Sequence, residues 1–363
     1  MSLQAIFFHA FNLCGQIGPS GFKKLLTFFK SPEKAWSASL SQFQAAGLSA
    51  KLANRIVYHR ENINLEQEQE KLAQQNIELV TIFDEDYPSL LKEIYDAPWL
   101  LYARGHLSSQ DKFSLAVVGT RKVSLYGQQV TPWLTTPLAE AGLTIVSGLA
   151  IGVDTLAHQS ALEAGGRTLA VVGCGLSDQV IYPRQNKDLA TRIAQAGAVI
   201  SEFPPQTSPQ AQFFPMRNRL IAGLSLGTLV IEAPGRSGAL ITARQALDQN
   251  REVFAVPGPI FAQNSTGTNQ LIKMGALPIS QANDILEELN LELVTKPNPK
   301  KAISADNPQE SLILKQINQE PIHIDKIIIQ SKLPAAKVNA ILSLLEVKGK
   351  VRNLSGNNYI LNN

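Results

Sequence analysis

The chain has 363 residues, 44% of them hydrophobic and 17% charged, a length and make-up that support two or three domains with sizeable cores. It contains no run of about 18 apolar residues, which excludes a membrane-spanning helix, and its apolar start has neither a basic stretch nor a small-residue cleavage site, so no signal peptide is expected. The net charge of +3 permits a nucleic-acid partner without demanding one.

Residues 1–104 read as helical. Gly15-Gln16-Ile17-Gly18-Pro19 and Ala46-Gly47-Leu48-Ser49 are tight turns between short amphipathic runs such as Phe22, Leu25, Leu26 and Phe29. The pattern resembles small helical domains of the helix-hairpin-helix or SAM-like kind. Residues 76–101 then look like a short strand, a turn at Asp84-Glu85-Asp86-Tyr87-Pro88 and a lead-in to the next domain.

Residues 105–290 alternate. Short apolar, β-branched runs fall at 115–118, 144–146, 169–172, 199–201, 228–231 and 253–256, each followed by a Gly- or Pro-bearing turn and an amphipathic segment of helix length. Runs without polar alternation indicate strands covered on both faces. Strand, turn and helix in repetition predict right-handed parallel crossovers, an α/β class and a doubly wound, Rossmann-like sheet.

A Pro-, Asn- and Lys-rich linker is expected over 291–308. Beyond it, 312–317, 324–329 and 335–347 have helical patterns, and Ser355-Gly356-Asn357 reads as a hairpin turn. Three helices and a hairpin over 309–363 predict a winged helix. Cys14 and Cys174 lie far apart without metal or pairing spacing. They read as small buried hydrophobes in a reducing, cytoplasmic setting.

In a doubly wound sheet, ligands sit beyond the carboxyl ends of the strands, where the strand order reverses. The residues after each strand are therefore the candidates. They are Gly119, Thr120 and Arg121; Ser147 and Gly148; Tyr182, Arg184 and Lys187; Phe213, Phe214, Arg217, Asn218 and Arg219; and Arg236, Ser237 and Gly238. Glycines let backbone N–H groups approach an anion, and the following helix turns its positive end toward it. Six Arg and Lys side chains on one rim suit successive phosphates, and interleaved aromatic rings suit unpaired bases.

Each feature also has a plain structural reading. The glycines could serve only as tight turns, Phe213 and Phe214 as core, Arg217 and Arg219 as partners of Glu202 or Glu232, and Ser147 and Ser237 as helix caps. Asp154 and His158, four apart, could form half a metal site but read better as a helix-surface pair. There is no dinucleotide fingerprint, Walker lysine or nucleophile elbow.

Val117-Val118-Gly119-Thr120-Arg121, 147–154 with Ala157-His158, Tyr182-Pro183 with Asn186, 201–205, Phe214 to Ile221, Glu232-Ala233 with 237–243, Pro257-Gly258 and 267–272 occur in the order found in the DprA/Smf (DNA processing) family, which the chain resembles from about 115 to 276. The resemblance implies a non-enzymatic protein without a cofactor. It implies binding and shielding of single-stranded DNA in natural transformation, loading of a RecA-type recombinase, and a homodimer through the Rossmann-like domain, expected around 260–271. Carried over, the DNA pocket takes Gly119, Thr120, Arg121, Arg184, Lys187, Arg217, Asn218 and Arg219. Ser147, Gly148, Phe214, Arg236, Ser237 and Gly238 lie at its margin. Arg184 stands where many members carry Lys.

Two other functions fit parts of the sequence. The 234–238 turn is similar to the P-G-G-x-G-T turn of lysine-decarboxylase-like nucleotide phosphoribohydrolases, but Arg236 and Ala239 replace its second Gly and its Thr. A transcription regulator would use the winged helix, with Lys326, Lys332 and Lys337 on duplex DNA.

Overall fold

The computed structural model describes residues 4–15, 17–291, 308–317, 322–331, 333–348, 350–354 and 358–361. The expected linker, Lys332 and the turn at 355–357 lie essentially outside the described residues. Two compact units are present, Met1–Val294 and Thr295–Asn363.

The first unit opens with six helices, α1 (Ala5–Leu13), α2 (Pro19–Phe29), α3 (Pro32–Trp36), α4 (Leu40–Ala45), α5 (Ala50–Arg60) and α6 (Leu65–Gln74). Local chemistry sets their starts. Ser31, Ser39, Ser49 and Asn64 each accept a backbone N–H from the first turn of α3 to α6, and Pro19 occupies the first turn of α2. Phe8, Phe11, Phe22, Leu25, Phe43 and Ile56 fill the space between them.

The strands follow: β1 (Glu78–Thr81), β2 (Leu100–Gly105), β3 (Ser114–Val118), β4 (Thr144–Ser147), β5 (Thr168–Val171), β6 (Ala198–Ser201), β7 (Gly227–Val230), β8 (Glu252–Ala255) and β9 (Leu277–Pro278). They form one sheet in the order β1-β2-β6-β5-β4-β3-β7-β8-β9. Pairing is parallel from β6 through to β9, while β1 and β2 are antiparallel additions at the β6 edge. The six expected strands lie within one residue of their observed places. The reading of the end of 76–101 as a lead-in is corrected. Leu100, Leu101, Tyr102 and Ala103 form a strand buried on both faces, which gives no alternation to read.

The connecting helices are α7 (Ser89–Lys92), α8 (Leu125–Glu140), α9 (Val153–Glu163), α10 (Lys187–Ala196), α11 (Phe213–Gly223), α12 (Gly238–Asp248), α13 (Thr266–Lys273) and α14 (Ala282–Glu288). They cover the sheet on both sides, giving two cores. One is built on Val146, Val171, Leu220 and Val230, the other on Val117, Leu138, Ile145 and Phe254. The helical start shares a third core with the sheet, in which Phe8 and Leu72 join Ala170, Ile193 and Val199. Cys14 and Cys174 are both buried and free.

The second unit has α15 (Pro308–Leu314), α16 (Ile324–Ser331) and α17 (Ala335–Val347), with β10 (Ile322–His323), β11 (Val351–Leu354) and β12 (Asn358–Leu361) in the order β10-β12-β11. Ile313, Ile327, Val338, Leu342 and Leu345 are its core. α16, α17 and the two hairpin strands fall where the periodicity places them, whereas α15 starts four residues before the expected 312–317 and ends at Leu314. β10 is a short addition whose two residues pair with Tyr359 and Asn358.

Candidate functional site

The strand order reverses between β3 and β7, since β4, β5 and β6 lie to one side of β3 and β7, β8 and β9 to the other. A cleft of about 510 Å³ opens there, beyond the carboxyl ends of the two strands. The turn after β3 supplies Gly119, Thr120 and Arg121, the turn after β7 supplies Arg236, Ser237 and Gly238, and α11 supplies Phe214, Arg217 and Asn218.

A buried carboxylate holds the β3 turn. Glu232 accepts from Ser124 N (3.0 Å), Ser124 Oγ (2.5 Å) and Asn264 Nδ2 (3.3 Å), while its carbonyl accepts from Thr120 N (2.7 Å). Ser124 in turn caps α8. Thus one residue, through its carboxylate and its backbone carbonyl, fixes both ends of residues 120–124. The sequence reading weighed Glu232 only as an arginine partner. Its place directly after β7, beside β3, was the available signal.

Above this turn Arg121 is exposed. Its guanidinium lies 5.6 Å from the centre of the half-buried Phe214 ring, which packs on Tyr182 at 5.8 Å. Cation, ring and ring form a ledge over the cleft. Phe213 instead packs inward on Phe203 at 4.3 Å. Arg236 is exposed at the opposite lip, Ser237 caps α12 through Ala239 N (3.3 Å), and Asn218 Nδ2 donates to the Gly238 carbonyl (3.3 Å).

Arg217 lies in the floor. It is 4% exposed, donates Nη1 to the Val171 carbonyl (2.8 Å) and has no partner for Nε among the described residues. Burial lowers its pKa to about 10, against the opposing pull of Asp154. It therefore stays charged at neutral pH, with Asp154 as the acidic group acting on it. Burial raises the Asp154 carboxyl, while Arg217 and the N–H groups of Ala150 and Gly148 draw it back down. Gly148 is required at this point, because a Cβ would lie 1.7 Å from Arg217 Nη1 and 2.7 Å from Asp154 Oδ2.

Of the expected residues, Arg219, Arg184, Lys187, Ser147 and Gly148 do not line this cleft. Arg219 is two positions from Arg217 on a helix, so it faces the other way. Its Nη2 meets both Glu202 oxygens at 2.6 Å, and its Nε lies 3.2 Å from Asp96. Arg184 and Lys187 follow β5, two strands from β3 and so roughly 10 Å along the sheet edge. Both are exposed, and Lys187 pairs with Asp178 at 3.0 Å. Ser147 caps no helix; it is buried and donates to the Val117 carbonyl (2.6 Å).

The surface pairing of Asp154 with His158 is also corrected, since both are buried and they face different partners. Asp154 accepts from Gly148 N (3.1 Å) and Ala150 N (3.3 Å). His158 Nδ1 lies 2.7 Å from Thr168 Oγ1, whose hydroxyl donates to Ile145 O. Nδ1 therefore carries the proton, and Nε2 is left without a partner. Burial pushes the His158 pKa down to about 3. The unfolded chain then binds the extra proton below about pH 6.5, so stability falls as pH drops from there toward 3. Between pH 7.5 and 5.5 this single group is expected to remove about 1.4 kcal/mol of unfolding free energy. Urea titrations of wild type and His158→Gln at the two pH values check it: the drop should shrink in the variant, and equal drops would remove His158 as the cause.

Among the described residues no helix is long and apolar enough to cross a membrane. The sequence model of the family described as DNA recombination-mediator protein A matches residues 78–290, and that of the DprA winged helix domain matches 297–357. Protein Smf of Synechocystis sp. is 36% identical over an alignment covering 94% of this chain and 95% of that protein. The X-ray structure of DNA processing protein A from Streptococcus pneumoniae superposes with a TM-score of 0.68 at 35% identity, covering 79% of this chain and 99% of that one. A structure of DNA processing protein A from Helicobacter pylori, described for its single-stranded DNA binding mode, gives a TM-score of 0.53 at 31% identity, covering 60% of this chain and 97% of that one.

Proposed function

Because the chain belongs to the DNA recombination-mediator protein A family, we propose that it binds single-stranded DNA in the switch-point cleft, shields it, and passes it to a RecA-type recombinase, without turnover. The observation that carries this reading is the Arg121–Phe214–Tyr182 ledge over the cleft, with Arg236 exposed at the opposite lip. A base stacks on the ledge while its phosphates meet Arg121, Arg236 and the N–H groups at the starts of α9 and α12. Asp154, the one acidic residue lining the cleft among the described residues, is occupied by two backbone N–H groups, which leaves no free base for hydrolysis of a nucleotide. That favours binding over the phosphoribohydrolase reading. α17 carries a single basic residue, Lys337, which disfavours it as a reader of duplex DNA.

Arg184 and Lys187 act on this reading as an outer positive rim rather than as pocket residues. A homodimer is supported by the neighbouring side chains Ile260 and Phe261, which are 82% and 97% exposed.

Replacing Arg121 with alanine is expected to weaken oligo(dT) binding by about 5- to 30-fold at roughly 0.15 M salt, and to reduce the salt slope by about 0.7. Gel shifts with single- and double-stranded oligomers, with and without recombinase, check it. Equal binding by Arg121→Ala and wild type would refute the pocket. Preference for duplex, or release of free base from nucleoside monophosphates, would refute the function.

A further inference from the structure

The charge of the helical start is hidden in the average over residues 1–105. Residues 1–60 contain seven Lys and Arg against one acidic residue, Glu33, whereas residues 61–104 contain three against ten. Lys23, Lys24, Lys30, Lys34, Lys51 and Arg55 are all exposed, and none makes an ion pair among the described residues. Six uncompensated cations on one small helical body form a strong positive field.

Two reciprocal contacts gather them. Lys24 Nζ, in the second turn of α2, donates to Gly47 O (2.9 Å), just before α5. Arg55, in the second turn of α5, covers Gly15, where a Cβ would lie 2.2 Å from the guanidinium. Each helix thus sets a cation on the turn that leads into the other. Exposed rings continue both rows. Phe28 follows Lys24 by four residues, and Tyr58 follows Arg55 by three, so each shares a helix face with its cation. They are 50% and 71% exposed.

The switch-point cleft connects to this face. A second cleft, of about 480 Å³, is walled by Gly18, Pro19 and Phe22 at the start of α2, by Trp99, and by Pro215 and Met216 of α11. Pro215 also walls the first cleft. Two carboxylates line the second cleft, Glu202 and Asp96, and both are paired with Arg219, at 2.6 and 3.2 Å.

We propose that the α2–α5 face is a second contact for the same single strand, taken up after it leaves the switch-point cleft across Pro215 and the start of α2. The inference rests on the proposal that the first cleft holds single-stranded DNA. Cations alone would suit any polyanion; the exposed rings in register with them favour unpaired bases over a duplex. The acidic segment that follows, residues 61–104, directs the strand to this face by repulsion elsewhere.

The test uses the full chain carrying Lys23→Gln, Lys51→Gln and Arg55→Gln together, and separately Tyr58→Ala. Oligo(dT) of about 6 and about 20 residues brackets the ~4–16 nucleotides that one oligonucleotide-binding fold covers. The triple variant is expected to bind the short oligomer like wild type, which also verifies its fold. It should bind the long one at least about tenfold more weakly near 0.15 M salt, with a slope shallower by about 2. Tyr58→Ala should weaken only the long oligomer. Equal effects on both lengths, or none on the long one, would overturn the second contact while leaving the cleft intact. A larger loss on a 20-base-pair duplex than on the long single strand would reassign the face and overturn the proposal. If wild type ignored the short oligomer, the cleft itself would fail, and this extension with it.

Discussion

Asp154→Ala is expected to destabilise the first unit by about 3–5 kcal/mol, lowering its Tm by roughly 5–10 °C. The carboxylate accepts from Gly148 N and Ala150 N, and both donors would lose their partner, the first of these bonds being buried. It is also the main negative charge acting on Arg217, whose guanidinium would remain in the floor with only the Val171 carbonyl. Asp154→Asn keeps an acceptor and removes the charge, so it should fall between alanine and wild type. Adding Arg217→Met to Asp154→Ala removes the stranded cation, and the double variant should recover more than 1 kcal/mol relative to additivity. Denaturant midpoints of wild type, Asp154→Ala, Asp154→Asn, Arg217→Met and the double variant measure this. A loss under 1 kcal/mol for Asp154→Ala would show that the floor is not held this way.

Gly152→Ala is expected to cost about 2–4 kcal/mol and to weaken single-strand binding more than Arg121→Ala does. Gly152 has φ +89°, and a Cβ would stand 2.4 Å from Thr120 O and 2.8 Å from Arg121 O. Those are backbone atoms of the β3 turn, so relief requires moving the turn itself. Val153 N donates to Thr120 O at 3.2 Å, and that bond would open as well. Gly165→Ala is the control. Its φ is +67°, but nothing lies within 4 Å of a Cβ, so it should show only the backbone strain, about 1 kcal/mol, and normal binding. Thermal unfolding and fluorescence anisotropy on the same preparations separate the two effects. If Gly152→Ala matched Gly165→Ala in both, the close approach would have no consequence.

Much of the candidate site could be read from local pattern. The turns after β3 and β7 were found because Gly-rich segments follow apolar runs, and such turns converge at a switch point. Arg219 was grouped with the cleft because 213–219 was read as a turn rather than a helix. On a helix Phe214, Arg217, Asn218 and Ile221 share one face, and these are the α11 side chains turned to the cleft, while Arg219 falls opposite. Arg184 and Lys187 were grouped with the rim because strand order was not known. They follow β5, two places from β3, and do not line the cleft between β3 and β7. The charge of the helical start is legible in the sequence, but the ten acidic residues of 61–104 cancel it in any sum over the whole region.

The sequence by itself determined the class of fold, six parallel strands to within a residue, the winged helix and the family, because hydrophobic period, turn chemistry and motif order are properties of short segments. Only the tertiary structure decided which cations are free and which are bound, where Glu232, Asp154 and His158 lie, and that residues 78–105 extend the sheet. Burial and pairing are set by neighbours distant in the chain: Arg217 meets Val171 across 46 positions and Ser124 meets Glu232 across 108. No local pattern carries that information, since the free energy of a buried charge depends on whichever groups the fold brings against it.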